Sequence, residues 1–95
     1  MRVFAMTAGI GGDRWRAWAR RAAQSWERHT GVPCLVLYDV PSLCGRLNSP
    51  MWLKYWVWDF APADADLVVW LDGDTEVLGA LRLSQFNGFA AVEDA

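Results

Sequence analysis

The 95-residue sequence contains few of the residues that cross-link small proteins, bind metals through soft ligands or anchor a chain in a membrane. Its two cysteines, Cys34 and Cys44, are too few for a disulfide-rich fold and form neither a CxxC motif nor a Cys/His metal spacing. No apolar run approaches the roughly 18 residues of a membrane span. The short apolar run before Gly9 also lacks the core of a signal peptide. We therefore expect no membrane span and a cytoplasmic protein with reduced thiols.

The sequence also has little net charge. Nine basic and 11 acidic residues give a net charge of −2 and an isoelectric point near 5.1. No overall electric field would therefore draw the chain to nucleic acid or to an anionic membrane, and we expect no nucleic-acid partner. A ligand that carries phosphate would need local groups to bind it.

Hydrophobic residues, by contrast, are abundant. They make up 54% of the chain and include seven tryptophans, each of which can bury about 150–250 Å². Disordered chains have low hydrophobicity and high net charge, so this composition indicates a folded protein. The length fits one small domain over residues 1–95.

Strand and helix patterns alternate along the chain. Apolar runs predict buried strands at residues 2–8, 34–38, 67–71 and 88–92. Helical spacing predicts an amphipathic helix that Asp13 caps, that ends near Thr30 and that has Gly31 as its C-cap. A second helix, residues 51–60 with Ser49 as its cap, is apolar on nearly all sides and is expected to be buried on most of them. This order predicts an α/β, Rossmann-like fold with a mainly parallel sheet and helices on both faces.

An acidic pair follows the most apolar of these strands. Asp72 and Asp74 come directly after five consecutive apolar residues and, in an extended chain, lie on one side about 6.8 Å apart. Gly73 between them leaves room for a ligand or for another backbone segment. Hard cations such as Mg²⁺ and Mn²⁺ bind carboxylate oxygens and share their shell with substrate phosphates. The pattern predicts a metal site at Asp72 and Asp74; the alternative is a solvated acidic turn.

Residues 67–81, with Asp72-Gly73-Asp74 at their centre, resemble the DxD segment of nucleotide-sugar glycosyltransferases of the GT-A fold, especially the glycogenin-like family 8. Residues 49–55 resemble the helix that precedes the motif in those enzymes. Residues 89–94 are similar to the strand that follows it. The resemblance covers nearly the whole chain, and its specific part is the DxD segment.

This resemblance implies a glycosyltransferase that binds a nucleotide-diphosphate sugar, a UDP-sugar in the first instance, and transfers the sugar to an unknown acceptor. By position, Asp74 and Asp72 match the ligands of a Mn²⁺ or Mg²⁺ cofactor, and Asp72 also matches a contact to the ribose. Lys54 matches a basic residue that faces the diphosphate. The remaining implied donor-binding residues are Thr7, Ala8, Gly9, Asp39 and Gly73.

The chain also departs from that family. Its members are considerably longer, and the half that supplies the acceptor pocket and a further histidine ligand has no counterpart here. The single histidine, His29, lies at the end of the first predicted helix, where it suits the helix dipole. The chain is therefore expected to be the N-terminal donor-binding part of a longer transferase, or a shortened relative. Its uncovered apolar surface predicts self-association.

Three other functions compete with this one. A haloacid dehalogenase-like phosphohydrolase uses Asp-x-Asp-x-Thr after an apolar strand, but here Thr75 comes one residue early and the motif follows two β-α units. A dinucleotide-binding Rossmann domain would use Gly9 and Gly11, but Arg14 stands where its third glycine belongs. The third alternative is a catalytically silent nucleotide-binding or interaction domain.

Overall fold

The computed structural model describes residues 1–40, 50–79, 83 and 88–92. These residues form two α-helices, a 3-10 helix and four strands. The strands are β1 (Val3–Ala8), β2 (Cys34–Leu37), β3 (Leu67–Leu71) and β4 (Gly88–Val92). The helices are α1 (Asp13–Thr30), the 3-10 helix Pro50–Trp56 and α2 (Val57–Phe60), which directly continues the 3-10 helix.

The four described strands form one parallel sheet in the order β2-β1-β3-β4. Ala5 of β1 lies opposite Cys34 of β2 on one side and Val69 of β3 on the other. Strands β1 and β3 are therefore the inner strands of the described sheet. The predicted parallel α/β architecture is confirmed, and it is compatible with a Rossmann-like fold.

Alternation along the strands divides the core into two layers. The α1 face carries Trp26 of α1 against the odd-numbered sheet residues Ala5, Leu67, Val69 and Leu71. The α2 face carries Leu53 and Val57 against the even-numbered residues Met6, Val68 and Trp70. All five residues of β3 are buried, as a strand covered on both faces requires. Helices therefore cover both faces of the sheet, as predicted.

Small residues let α1 lie close to the sheet, because its buried side chains Ala19, Ala22 and Ala23 add little thickness. Gly31 ends the helix at φ 71° and its N–H donates to the Glu27 carbonyl at 2.8 Å, which confirms the predicted C-cap. The predicted N-cap is wrong. Gly12 holds that position without a side-chain hydrogen bond, and Asp13 is already in the first turn, where its charge complements the helix dipole.

The second helical segment is less regular and less buried than expected. Its first seven residues form a 3-10 helix, and only Leu53 and Val57 among its described side chains are fully enclosed. Tyr55 and Trp58 are 66% and 50% exposed, so burial on most sides was a wrong prediction. The sheet covers the side of this helix that carries Leu53 and Val57. Ser49, the predicted cap, lies outside the described residues.

Strand β2 is likewise less buried than its apolar sequence suggests. It pairs only with β1 and lies at the edge of the described sheet. Leu35 is exposed and the remaining β2 residues are half-buried, so the expectation of a fully buried second strand was wrong.

Within the described residues, no helix has both the length and the apolar character needed to cross a membrane.

Candidate functional site at the carboxyl edge of the sheet

The acidic pair lies at the carboxyl end of β3, next to the carboxyl end of β1. The chain runs from β1 to β2 on one side of the sheet, and from β3 to β4 on the other. The strand order therefore reverses between β1 and β3. In open α/β sheets, ligands bind outside the carboxyl ends of the strands at such a reversal.

A hydrogen-bonded turn shapes the motif. The Asp72 carbonyl accepts from the Thr75 N–H at 3.0 Å and from the Thr75 hydroxyl at 2.6 Å. Gly73 and Asp74 occupy the two central positions of this turn. Thr75 is buried, so a residue inside the protein holds the turn in place. Both aspartates are half-buried and remain partly accessible.

The Asp72 side chain has a defined partner. The Trp70 indole N–H donates to Asp72 Oδ1 at 2.9 Å. Residues two apart in a strand point to the same side, and Trp70 packs in the α2 face, so the Asp72 carboxylate lies on that side as well. In the sequence, Trp70 is one of the five apolar residues before the motif. Its spacing of two from Asp72 is the signal that could have indicated the bond.

Gly73 serves backbone packing. A Cβ at this position would lie 2.7 Å from the Ala8 carbonyl oxygen, much closer than such atoms normally approach. Of the two reasons considered for a glycine here, the structure supports close approach of another backbone segment. Gly9 is similar, because a Cβ there would contact the Trp15 carbonyl and lie 2.7 Å from the Ala19 Cβ. The ends of β1 and β3 and the start of α1 are therefore packed tightly together.

The chain that leaves the motif is attached to α1. The Val77 N–H donates to the Ser25 hydroxyl oxygen at 2.9 Å, and that hydroxyl donates to the Ala22 carbonyl at 2.8 Å. Val77 is buried in the core cluster that contains Trp26. The segment after the acidic turn thus crosses to the α1 face, whereas the Asp72 carboxylate lies on the α2 side. No local pattern in the sequence indicated this attachment.

The other implied donor-binding residues occupy different environments. Thr7 pairs with Leu71 and is fully buried, and its hydroxyl has no hydrogen-bond partner among the described residues. Ala8 is half-buried and contacts the Gly73 region, and the buried Gly9 donates its N–H to the Leu37 carbonyl at 2.8 Å. The structure therefore brings the end of β1 to the acidic turn.

Asp39 and Lys54 lie on segments other than β1 and β3. Asp39 is exposed and follows β2, which β1 separates from β3. Lys54 is half-buried on the 3-10 helix that covers the α2 face, with its ammonium 5.7 Å from the centroid of the Tyr55 ring. Lys54 thus shares a face of the sheet with the Asp72 carboxylate.

The donor set suits a hard divalent cation. Among the described residues, no group of three His, Cys, Asp or Glu side chains could hold a metal ion. Mg²⁺ is commonly held by one or two carboxylates, with water and substrate phosphates completing its shell. Two partly accessible carboxylates on one turn fit that mode of binding, in which the ligand's phosphates supply the missing oxygens.

An open groove of about 420 Å³ lies at the amino end of the sheet, away from the acidic turn. It is lined by Arg2, Val3, Phe4, Ala5, Pro33, Cys34, Leu35 and Pro62. Burial raises the pKa of the Cys34 thiol to about 12, and the Glu27 carboxylate adds to the increase. A thiol with so high a pKa is a poor nucleophile at neutral pH, so the groove offers no reactive group through Cys34.

Comparison with known proteins gave no match: no protein-family model, no curated protein and no solved structure is significantly similar to the chain.

Proposed function

We propose that the chain binds a nucleotide-diphosphate sugar through a divalent cation at Asp72 and Asp74, as the donor site of a glycosyltransferase of the GT-A type. One observation carries the proposal. The two carboxylates share a turn at the carboxyl end of a central parallel strand, where the strand order reverses.

Several features of the turn support a role in binding. Asp72 and Asp74 are half-buried, so both residues remain partly accessible, and the Trp70 indole holds the Asp72 carboxylate. The turn is held by the Thr75 hydroxyl and by the packing of Gly73 against Ala8. A carboxylate that is held in place before binding loses little freedom when it binds a cation, and this favours affinity.

Five of the implied donor-binding residues have a proposed part. Asp72 and Asp74 would hold Mn²⁺ or Mg²⁺, and Lys54, on the same face of the sheet as Asp72, would approach the diphosphate. The backbone at Ala8 and Gly9 would line the nucleotide side of the site. When bound, the cation supplies Lewis-acid stabilisation of the charge on the departing nucleoside diphosphate.

Isothermal titration calorimetry with UDP, in the presence and absence of Mn²⁺, tests the proposal. Binding should require the metal and should weaken at least about tenfold in Asp74→Asn and Asp72→Asn, because each change removes an anionic ligand. Asp59→Asn is the matched control. Asp59 is an exposed aspartate on α2, which leads towards the amino end of β3.

Two results would contradict the proposal. The first is equal affinity for UDP with and without Mn²⁺, and the second is unchanged metal-dependent binding in Asp74→Asn. Phosphate release from a phosphomonoester, with no UDP binding, would favour the phosphohydrolase. A folded chain that binds no nucleotide would favour a silent interaction domain.

A further inference from the structure

Two buried tryptophans differ in what their indole N–H groups contact. Trp70 is 4% exposed and donates to Asp72 Oδ1 at 2.9 Å. Trp26 is 0% exposed, and its indole nitrogen has no hydrogen-bond partner among the described residues. The two rings lie on opposite faces of the sheet. A comparison of the two residues therefore separates the effect of burying an indole from the effect of its hydrogen bond.

The bond from Trp70 makes the two oxygens of Asp72 inequivalent. Oδ1 accepts the indole proton, so its capacity is partly used, and Oδ2 is the oxygen that remains for a ligand. The indole is enclosed by the α2 face and its ring cannot easily move, so it also limits rotation of the carboxylate. Partners of this kind, which orient a ligating carboxylate, commonly change metal affinity about 10–100-fold when they are removed.

We infer that Trp70 is a positioning residue, whose indole N–H holds the Asp72 carboxylate so that Oδ2 is presented to the divalent cation of the bound nucleoside diphosphate. This inference rests on the proposed function. Trp70 acts through Asp72 and is too buried to contact the nucleotide itself. The indole takes one acceptor position of Oδ1, so the arrangement favours binding of the cation through Oδ2.

The first test is a spectroscopic one on the whole chain. Labelling with ¹⁵N-tryptophan gives up to seven indole N–H signals, and Trp70→Phe identifies the signal of Trp70. That signal should shift in Asp72→Asn and should shift again in the wild type when Mg²⁺ and UDP are added. The Trp26 signal, identified by Trp26→Phe, should stay in place in both experiments. The response to Mg²⁺ and UDP is read in the wild type, so it does not depend on the stability of any Trp70 variant under binding conditions.

The second test compares affinities. Trp70→Phe keeps an aromatic ring but removes the donor, and we expect its affinity for UDP with Mn²⁺ to fall about tenfold. Trp26→Phe removes a similar volume and no hydrogen bond to the motif, so its affinity should stay within about twofold of wild type. Urea unfolding of both variants establishes that each is folded during the titration.

The outcomes separate the two proposals. If the wild type binds UDP with Mn²⁺ and Asp72→Asn does not, while Trp70→Phe binds like wild type, the positioning role is overturned and the donor site stands. A Trp70 signal that does not respond to Mg²⁺ and UDP, under conditions where calorimetry shows binding, also overturns it. If the wild type binds no nucleotide with metal, the proposed function fails and the inference fails with it.

Discussion

The two ends of the sheet are held together by different kinds of contact. At the carboxyl end, where Asp72 and Asp74 lie, the half-buried Gly73 packs on Ala8, and the buried Ser25 binds the chain after the motif. At the amino end, Arg2 makes exposed contacts: its backbone N–H donates to Asp66 Oδ2, and its side chain forms an ion pair. Arg2 forms an ion pair of 2.7 Å with Asp64, whose side chain is 67% exposed.

This difference matters because buried and exposed contacts respond differently to change. A tightly packed site has few alternative arrangements, so one misplaced atom moves the whole turn. Exposed ion pairs are screened by water and contribute little to stability. We therefore expect the geometry to be more tightly constrained beside the acidic pair than around the Arg2–Asp64 pair. The following predictions test that contrast, from the largest expected effect to the smallest.

Gly73→Ala should lower the free energy of unfolding by about 2–4 kcal/mol, because the new Cβ would lie 2.7 Å from a backbone carbonyl that cannot move alone. Urea unfolding measures the loss. The control is Gly79→Ala, where a Cβ meets no atom within 4 Å and the change should be within about 0.5 kcal/mol. Equal stabilities for the two variants would show that the carboxyl end is not tightly packed.

Ser25→Ala should cost about 1–3 kcal/mol, because the buried Val77 N–H loses its acceptor. The same unfolding experiment gives this value. Gln24→Ala, an exposed neighbour on α1, is the control and should have almost no effect. If Ser25→Ala were equally neutral, the chain after the motif would not be held by α1.

A pH dependence is expected from the amino end. The pKa of Cys34 is raised from 9.0 to about 12 in the folded protein, mainly by burial. The thiol therefore ionises first in the unfolded chain, and its contribution to stability is complete below pH 9 and declines as the pH rises from 9 towards 12. Between pH 8 and pH 10 the wild type should lose about 1 kcal/mol more than Cys34→Ala.

Urea unfolding of both proteins at the two pH values measures this difference. Identical losses in the two proteins would mean that the thiol is already solvated in the folded state, and that the groove at the amino end opens farther than the structure shows.

Asp64→Asn should have the smallest effect, below about 1 kcal/mol, since both partners of the Arg2–Asp64 pair are mostly exposed. The small loss should shrink further in 1 M salt, because screening weakens exposed charges most. A loss as large as that of Ser25→Ala would remove the contrast between the two ends.

The strands and the first helix could be predicted because their signals are local. The observed β3 and β4 have the expected bounds, and β1 and β2 differ by one residue, since apolar runs between turn residues mark strands well. Gly31 ends α1 where a left-handed residue is required. The 3-10 segment was not predicted, because its apolar spacing is close to that of an α-helix and little local energy separates the two.

The candidate site was predictable only in part. The position of Asp72 and Asp74 at a strand end followed from the apolar run before them. The bond between Ser25 and Val77 joins residues 52 apart, and the reason for Gly73 is a carbonyl on a different strand. Neither could be inferred from neighbouring residues. The binding of a nucleotide sugar stays a prediction.

The sequence by itself determined which segments form the strands and α1. It also determined that the acidic pair follows a buried strand. Both follow from the spacing of apolar residues and from turn residues, which act over a few positions. Only the tertiary structure decided which strands lie inside the sheet, which side of each helix is exposed and which atoms surround Asp72. Those features depend on contacts between segments far apart in the chain. Several arrangements are equally compatible with the local pattern, and packing in three dimensions selects one of them.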